Sequence, residues 1–409
     1  MLTTDILIIG GGIVGFSVAR ELNNRYPGLK ITIIEKEATL ACHSSGRNSG
    51  VLHAGFYYTP DSLKARLTAE GNRLLTEYCL HNNLSINQCG KVVVAKDETE
   101  VESIYELKRR GDKNGVALEI VDEQRLAELE SNAKTHSVAL YSPATSVVNP
   151  KEVVEHIATS LKEKAVLLLN QKFIKRYDTS TIESSSYKIQ YKYLINAAGL
   201  YADKIAHQFN VGRKYTLIPF KGLYMEYKDS HAIQKHIYPV PNLKNPFLGV
   251  HFTRTAGGKV KIGPTAIPAF WRENYNGFSN FNINEFLEII LHEAKLFCTN
   301  AFGFRNLTFE EIKKYNRDYF IEQASHLVKK IDRTKFGNYL NPGIRAQLLN
   351  KENMKLEMDF VIEYGENSAH ILNAVSPAFT SAFSFSKYIV DKMEELDLRS
   401  FVGANGLVA

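Results

Sequence analysis

The sequence predicts an α/β fold in which a Rossmann-like nucleotide-binding domain is interleaved with an antiparallel-sheet α+β domain. Three observations lead there. The chain opens on a strand, a glycine turn and a helix. Short apolar strands return at 193–196 and 369–373. Between them, over 217–263, β-rich segments alternate with turn residues.

The opening run is the most specific. Residues 5–9 (DILII) enter Gly10-Gly11-Gly12-Ile13-Val14-Gly15, and 16–23 show helical apolar spacing, so G-x-G-x-x-G stands between a strand and a helix. Gly10 suits the tight turn, Gly12 a close backbone approach to a pyrophosphate, and Gly15 close packing of helix on sheet. With a helix N-terminus favouring negative charge, the expected occupant is a dinucleotide. A second β-run, 30–34 (KITII), ends at Glu35, where a carboxylate can accept from ribose hydroxyls and repel a 2′-phosphate.

A chain of 409 residues exceeds one simple core and suggests two domains. Its 44% hydrophobic and 23% charged content excludes disordered and fibrous classes, and a net charge of +6 fits an anionic cofactor and an acidic substrate without marking a nucleic-acid binder. Cys42, Cys79, Cys89 and Cys298 lack paired spacing, which argues against a structural metal site or disulfide framework and suits a reducing compartment. No apolar run reaches the roughly 18 residues of a spanning helix, and the first strand starts almost at Met1. The expectation is a cytoplasmic protein, with peripheral contact to the membrane face left open.

Residues 42–55 (CHSSGRNSGVLHAG) are dense in Ser, Asn and Gly, exposing backbone N–H groups and hydroxyls suited to wrapping a polar cofactor. Helical spacing follows at 62–82, a strand at 91–95, a charged helix at 98–114, a strand at 118–121 and a short helix at 122–129. A helix is expected over 149–164 with Pro150 near its start, then strands at 166–170, 173–177 and 187–190. The strand 193–196 runs into Ala197-Ala198-Gly199, small residues that let the backbone pass close to something bulky. Helices are expected at 282–299 and 308–332, strands at 360–364 and 369–373, and a closing helix at 379–394.

The glycine motif, Glu35 and SSGRNSGVLHAG together resemble the FAD-dependent D-amino-acid oxidase superfamily, and more closely its L-2-hydroxyglutarate dehydrogenase/oxidase branch. So do YYTPDSLKA (57–65), NAAGLYAD (196–203), IYPVPNLKNPFLGVHFT (237–253), GPTAIPAFWRENY (263–275) and SPAFTSA (376–382). The resemblance implies an FAD-binding domain from residues 1–90, 145–215 and 340–395, a substrate-binding domain from 91–144 and 216–339, and a tail at 396–409. It implies FAD contacts from Gly10, Gly12, Ile13, Val14, Gly15, Glu35, Lys36, Ser44, Ser45, Arg47, Asn48, Ser49, Gly50, Val51, Ala198, Gly199, Pro377 and Thr380, with no metal.

The implied reaction is oxidation of L-2-hydroxyglutarate to 2-oxoglutarate, with oxygen or a membrane quinone as electron acceptor. An amino-acid or amine oxidase and a catalytically silent flavin module are the alternatives. A dicarboxylate calls for two cationic or strong donor groups. Arg345 is the first choice, since a guanidinium clamps a carboxylate through two parallel hydrogen bonds; Lys221, Arg254 and Tyr224 are candidates for the second. The family's P-F-R-G followed by an acidic residue is here Pro219-Phe220-Lys221-Gly222-Leu223, a departure at the substrate contact. For the base that takes the hydroxyl proton, His251 comes first and His53 second.

Overall fold

The computed structural model describes residues 1–241 and 247–396. The chain divides into two compact units, one from residues 1–48, 150–217 and 346–409, the other from 49–149 and 218–345.

The first unit is built on a sheet whose parallel core runs, in order, Val166–Leu168, Ile31–Ile34, Leu2–Ile9, Lys188–Asn196 and Ser368–Asn373. Ile8 lies opposite Ile33 on one side and Ile195 on the other, and Leu194 opposite Ser368. Strands covered on both faces must be apolar at successive positions, which is why DILII and KITII do not alternate. Leu7, Ile9, Ile34 and Leu194 share one core cluster; Ile6 and Ile8 point to the opposite face. Phe173–Arg176 and Thr181–Ser184 extend one edge antiparallel, and Val361–Gly365 folds back on Ser368–Asn373.

The helix after the first strand, Ile13–Arg25, packs on the closing helix Ala382–Glu395. There the Arg25 guanidinium bridges Asp391 at 2.7 Å and Glu394 at 2.9 Å, and the Tyr26 hydroxyl donates to Glu394 at 2.7 Å. First and last helices of the chain therefore close the same unit.

The second unit centres on an eight-stranded sheet in the order Phe336–Tyr339, Met225–Tyr227, Val260–Gly263, His251–Arg254, His236–Pro239, Lys91–Val94, Val138–Ser142, Glu119–Asp122. Every pair is antiparallel except His236–Pro239 beside Lys91–Val94, which the long intervening chain allows to run parallel. Val92, Val94, Ile237, Phe252, Ile262 and Met225 form an apolar core on one face. Alternation sends Lys91, His236, Tyr238, His251 and Lys261 to the other.

Two expectations are revised. Residues 49–90, placed with the nucleotide-binding half from the sequence, fall in the second unit. Val51 and Leu52 pair with Val147 and Ser146 there, and Ile86 with Val148. The single helix expected over 308–332 is two, Phe304–Lys313 and Arg317–Ser325. The Asn316 side chain accepts from the N–H groups of Asp318 and Tyr319 and starts a new helix there. Expected residues 397–409 of the tail lie outside the described residues.

Candidate active site

In the first unit the glycine turn joins Leu2–Ile9 to Ile13–Arg25 as the motif requires. Gly10 has φ +111°, and a Cβ there would stand 2.5 Å from the Ala197 carbonyl oxygen, so the turn and the strand end at Ala197-Ala198 approach too closely for any side chain. At Gly12 the surroundings are open: beyond its own turn and helix, the one heavy atom among the described residues that a Cβ would meet within 4 Å is Ser45 Oγ, at 2.9 Å. Gly12 is also the N-cap of the helix, with no side chain to satisfy the first turn, and that turn holds no acidic residue. The Ile13 N–H donates to Ser45 Oγ at 3.0 Å. This is an anion cradle that a side chain at residue 12 would fill, and it fits the pyrophosphate of FAD.

Glu35 also holds the local backbone. One carboxylate oxygen accepts from the Gly11 N–H and the other from the Glu37 N–H, both at 2.9 Å, so it ties the glycine turn to the end of the second strand. Beyond it, Lys36 pairs with Glu37, whose carboxylate also meets His43 Nε2 at 2.8 Å. Arg47 Nε donates to the Cys42 carbonyl and Asn48 Nδ2 to the carbonyls of Ser44 and Ser45, so these residues shape the loop that presents Ser45. The Asn196 side-chain oxygen accepts from the Ala198 N–H, ahead of Gly199 at φ +54°. Thr380 is buried just before the closing helix, where the Ser381 N–H donates to the Pro377 carbonyl.

In the second unit the polar face of the sheet is buried. The ring of His251 stacks on Tyr238 with centroids 3.7 Å apart and 21° between planes. Its Nδ1 lies 2.7 Å from the Gly249 carbonyl oxygen, which can only accept, so Nδ1 carries the proton and Nε2 the lone pair. Burial, reinforced by the positive charges of Lys91 and Lys261 and opposed by the Gly249 carbonyl, pushes His251 down to about 3. His53 is held well below the usual imidazole range by burial and then by Lys91, His251, His236 and Arg345. His236 is held down in the same way, and its Nδ1 accepts from the Arg254 N–H. All three imidazoles are therefore neutral at physiological pH.

Arg345 lies near the start of the strand Gly343–Asn350, its guanidinium 5.1 Å from the Phe247 ring centroid. Burial lowers it, whereas Tyr58 and Tyr224 act the other way. Burial raises Tyr224 above the usual phenol range, opposed by Arg345 and by a hydrogen bond with Ser49; the Val51 N–H donates to Ser49 Oγ. The flanking Gly50 has φ +78°. Two sequence candidates have hydrogen bonds within the protein. Arg254 donates to the carbonyls of Ser230 and Ile233 at 2.9 and 2.6 Å, and Lys221 donates to Asn274 Oδ1 at 3.2 Å.

The sequence reading missed Lys91, His236 and Lys261. The signal was a single Lys or His among mostly apolar neighbours in KVVV, HIYP and VKIG, which by itself does not mark a site.

A family model for FAD dependent oxidoreductases matches residues 5–392. The chain belongs to that family. This oxidoreductase is 33% identical over 417 residues to the mitochondrial L-2-hydroxyglutarate dehydrogenase of Bos taurus, covering 96% of the present chain and 89% of the relative. It is also 33% identical over 417 residues to the L-2-hydroxyglutarate dehydrogenase of Escherichia coli, at 96% and 93% coverage. Among solved structures, L-alpha-glycerophosphate oxidase from Mycoplasma pneumoniae with FAD bound superposes with a TM-score of 0.75 at 21% identity, over 96% of this chain and 95% of that one. Glycine oxidase from Geobacillus kaustophilus gives 0.68 at 15%, over 97% and 95%. The oxidoreductase shares their fold, and its cofactor is FAD. No helix among the described residues is long and apolar enough to cross a membrane.

Proposed function

We propose that this oxidoreductase converts L-2-hydroxyglutarate to 2-oxoglutarate. The observation that carries the reading is the buried face of the second unit, where Arg345 and Lys91 lie with neutral imidazoles at His53, His236 and His251. A small hydroxy acid with two carboxylates needs that pairing of cationic groups with an uncharged base. The near full-length similarity to L-2-hydroxyglutarate dehydrogenases supports the same substrate.

In this reading residues 1–48, 150–217 and 346–395 hold FAD, with Gly10, Gly12, Ile13, Val14, Gly15 and Ser45 at the pyrophosphate and Glu35 at the ribose. Bound FAD supplies the two-electron acceptor for the α-hydrogen, taken as hydride. Arg345 pairs with a substrate carboxylate through its planar fork, and Tyr224 donates beside it. His251 accepts the hydroxyl proton at Nε2, the nitrogen left free by its bond to Gly249. A dianion entering this positive field raises the basicity of His251, so its low affinity for protons belongs to the unliganded protein. His53 orients the substrate from the neighbouring segment.

The electron acceptor in this reading is oxygen or a membrane quinone, and the protein is cytoplasmic with peripheral contact to the bilayer. An exposed face supports that contact. On the helix Ile283–Thr299, Ile283, Leu287 and Leu291 recur at i, i+4 and i+8 with exposures of 53%, 50% and 69%, and Phe278 just before it is 85% exposed. Lys295 and Arg305 are the exposed charges nearest to it in sequence.

The test is anaerobic addition of L-2-hydroxyglutarate to the yellow holoprotein. Bleaching of the flavin by this enantiomer, and not by the D form, glycine or D-alanine, is expected; reduction by the amino acids instead would overturn the reading.

A further inference from the structure

Lys91 is fully buried, and its ammonium has no hydrogen-bond partner among the described residues. It sits in a box of aromatic rings, 4.5 Å from the centroids of Phe56 and Tyr57 and 4.9 Å from that of Tyr238. Ring faces hold a cation without neutralising it. The position follows from register. His236 is the parallel partner of Lys91 across the sheet, and Tyr238, two residues on, points to the same face.

The groups around the amine come from every neighbouring element. His53, Tyr57 and Tyr58 precede it in sequence, Cys89 stands two residues before it on its own segment, and His236 and Tyr238 lie on the adjacent strand. His251 stacks on Tyr238, with Lys261, Tyr224 and Arg345 beyond. None of these is a carboxylate. Burial alone lowers Lys91, to about 7, with no anion to offset it.

From this geometry we propose that Lys91 is a positioning residue whose amine completes its protonation when the dianionic substrate binds, so that the site carries its full second positive charge when the ligand's second carboxylate is present to match it. The proposal rests on the substrate class argued above, and it explains why Lys221 and Arg254 can be committed elsewhere. Lys91 acts through the field it sets at His53 and His251, both of which feel its charge. The coupling is reciprocal: if a dianion raises the proton affinity of Lys91 by about 5- to 150-fold, protonation tightens dianion binding by the same factor.

The experiment binds glutarate, a dicarboxylate with no hydroxyl to oxidise, to oxidised holoenzyme, by calorimetry at pH 8 in buffers of different ionisation enthalpy. With the free amine titrating near 7, the wild type is expected to take up about 0.2 to 0.9 of a proton per glutarate across that range of coupling. Lys91→Met keeps the length of the side chain and removes the titration, so uptake falls to nearly zero. Its dissociation constant is about 5- to 150-fold weaker than wild type at pH 6 and converges with it by about pH 10, where the wild-type amine is neutral in the complex as well. Lys91→Arg binds tightly at every pH with no uptake. Flavin content verifies that each variant is folded. Negligible uptake by the wild type, undiminished uptake by Lys91→Met, or a weakening of Lys91→Met that is the same at every pH overturns the proposal. The substrate assignment is judged separately, by whether L-2-hydroxyglutarate bleaches the wild-type flavin.

Discussion

The cofactor cradle and the buried polar face of the second unit solve different problems with different parts of the chain. The cradle is made of backbone: a glycine turn, a helix N-terminus, and a carboxylate whose two oxygens are occupied by the N–H groups of Gly11 and Glu37. The polar face is made of side chains from distant segments: strand register sets Lys91, His236 and His251 on one side of the sheet, and His53 and Arg345 come from other segments. A backbone site fails by obstruction and should respond to substitution in an all-or-none way. A side-chain site fails by lost charge or lost proton transfer, and its response should be graded.

The sharpest way to break that contrast is Gly12→Val. A Cβ there meets Ser45 Oγ at 2.9 Å and fills the approach to the helix N-terminus, so the purified protein is expected to be colourless yet folded by circular dichroism. A fully yellow variant would remove the cradle assignment. On the other side, His251→Ala should keep its flavin and lose about 10²- to 10⁴-fold in the anaerobic reduction rate at saturating L-2-hydroxyglutarate. If that rate is unchanged, the proton goes to another group and His53 is the next to replace.

Glu35→Ala lies between the two kinds of response, because Glu35 is a side chain serving the backbone. Apoprotein titrations should show FAD affinity weakened by about 1 to 3 kcal/mol, from lost charged hydrogen bonds to the turn as well as to the ribose. Unaltered affinity would show that the turn holds its shape without the carboxylate. The smallest effect is expected of Arg345→Lys, where a point charge replaces a fork: a roughly tenfold rise in the apparent substrate dissociation constant with little change in limiting rate. A fall in the limiting rate alone would move Arg345 from substrate binding to the chemical step.

The same contrast explains what could be read in advance. The strand–glycine turn–helix run and the place of Glu35 at the end of the second strand were legible because such a turn dictates residue type at fixed spacing, and the spacing survives in a linear sequence. The layered α/β core was legible from DILII and KITII, whose lack of alternation marks strands covered on both sides. Lys91, His236 and Lys261 were not, since a lone Lys or His in a short strand reads as a solvated position. The fold instead buries Lys91 beside His236, and His251 against Tyr238. Arg254 illustrates the converse: its type suited a carboxylate clamp, but the carbonyls of Ser230 and Ile233 already occupy it. The break near Asn316 was hidden because amphipathic spacing continues across it, while a single side-chain cap ends one helix and begins another.

The clasp of Ala382–Glu395 on Ile13–Arg25, with Ser368–Asn373 paired to Lys188–Asn196, also bears on how the protein is made. The nucleotide-binding motif is synthesised long before the strand and helix that complete its unit. Until Ser368–Asn373 is made, the Lys188–Asn196 strand has an unpaired edge of the kind that invites misassociation. Chains terminated before residue 368 lack both pieces and are expected to be cleared by proteases rather than to accumulate as apoprotein. FAD loading is thus expected only once both late segments have been made.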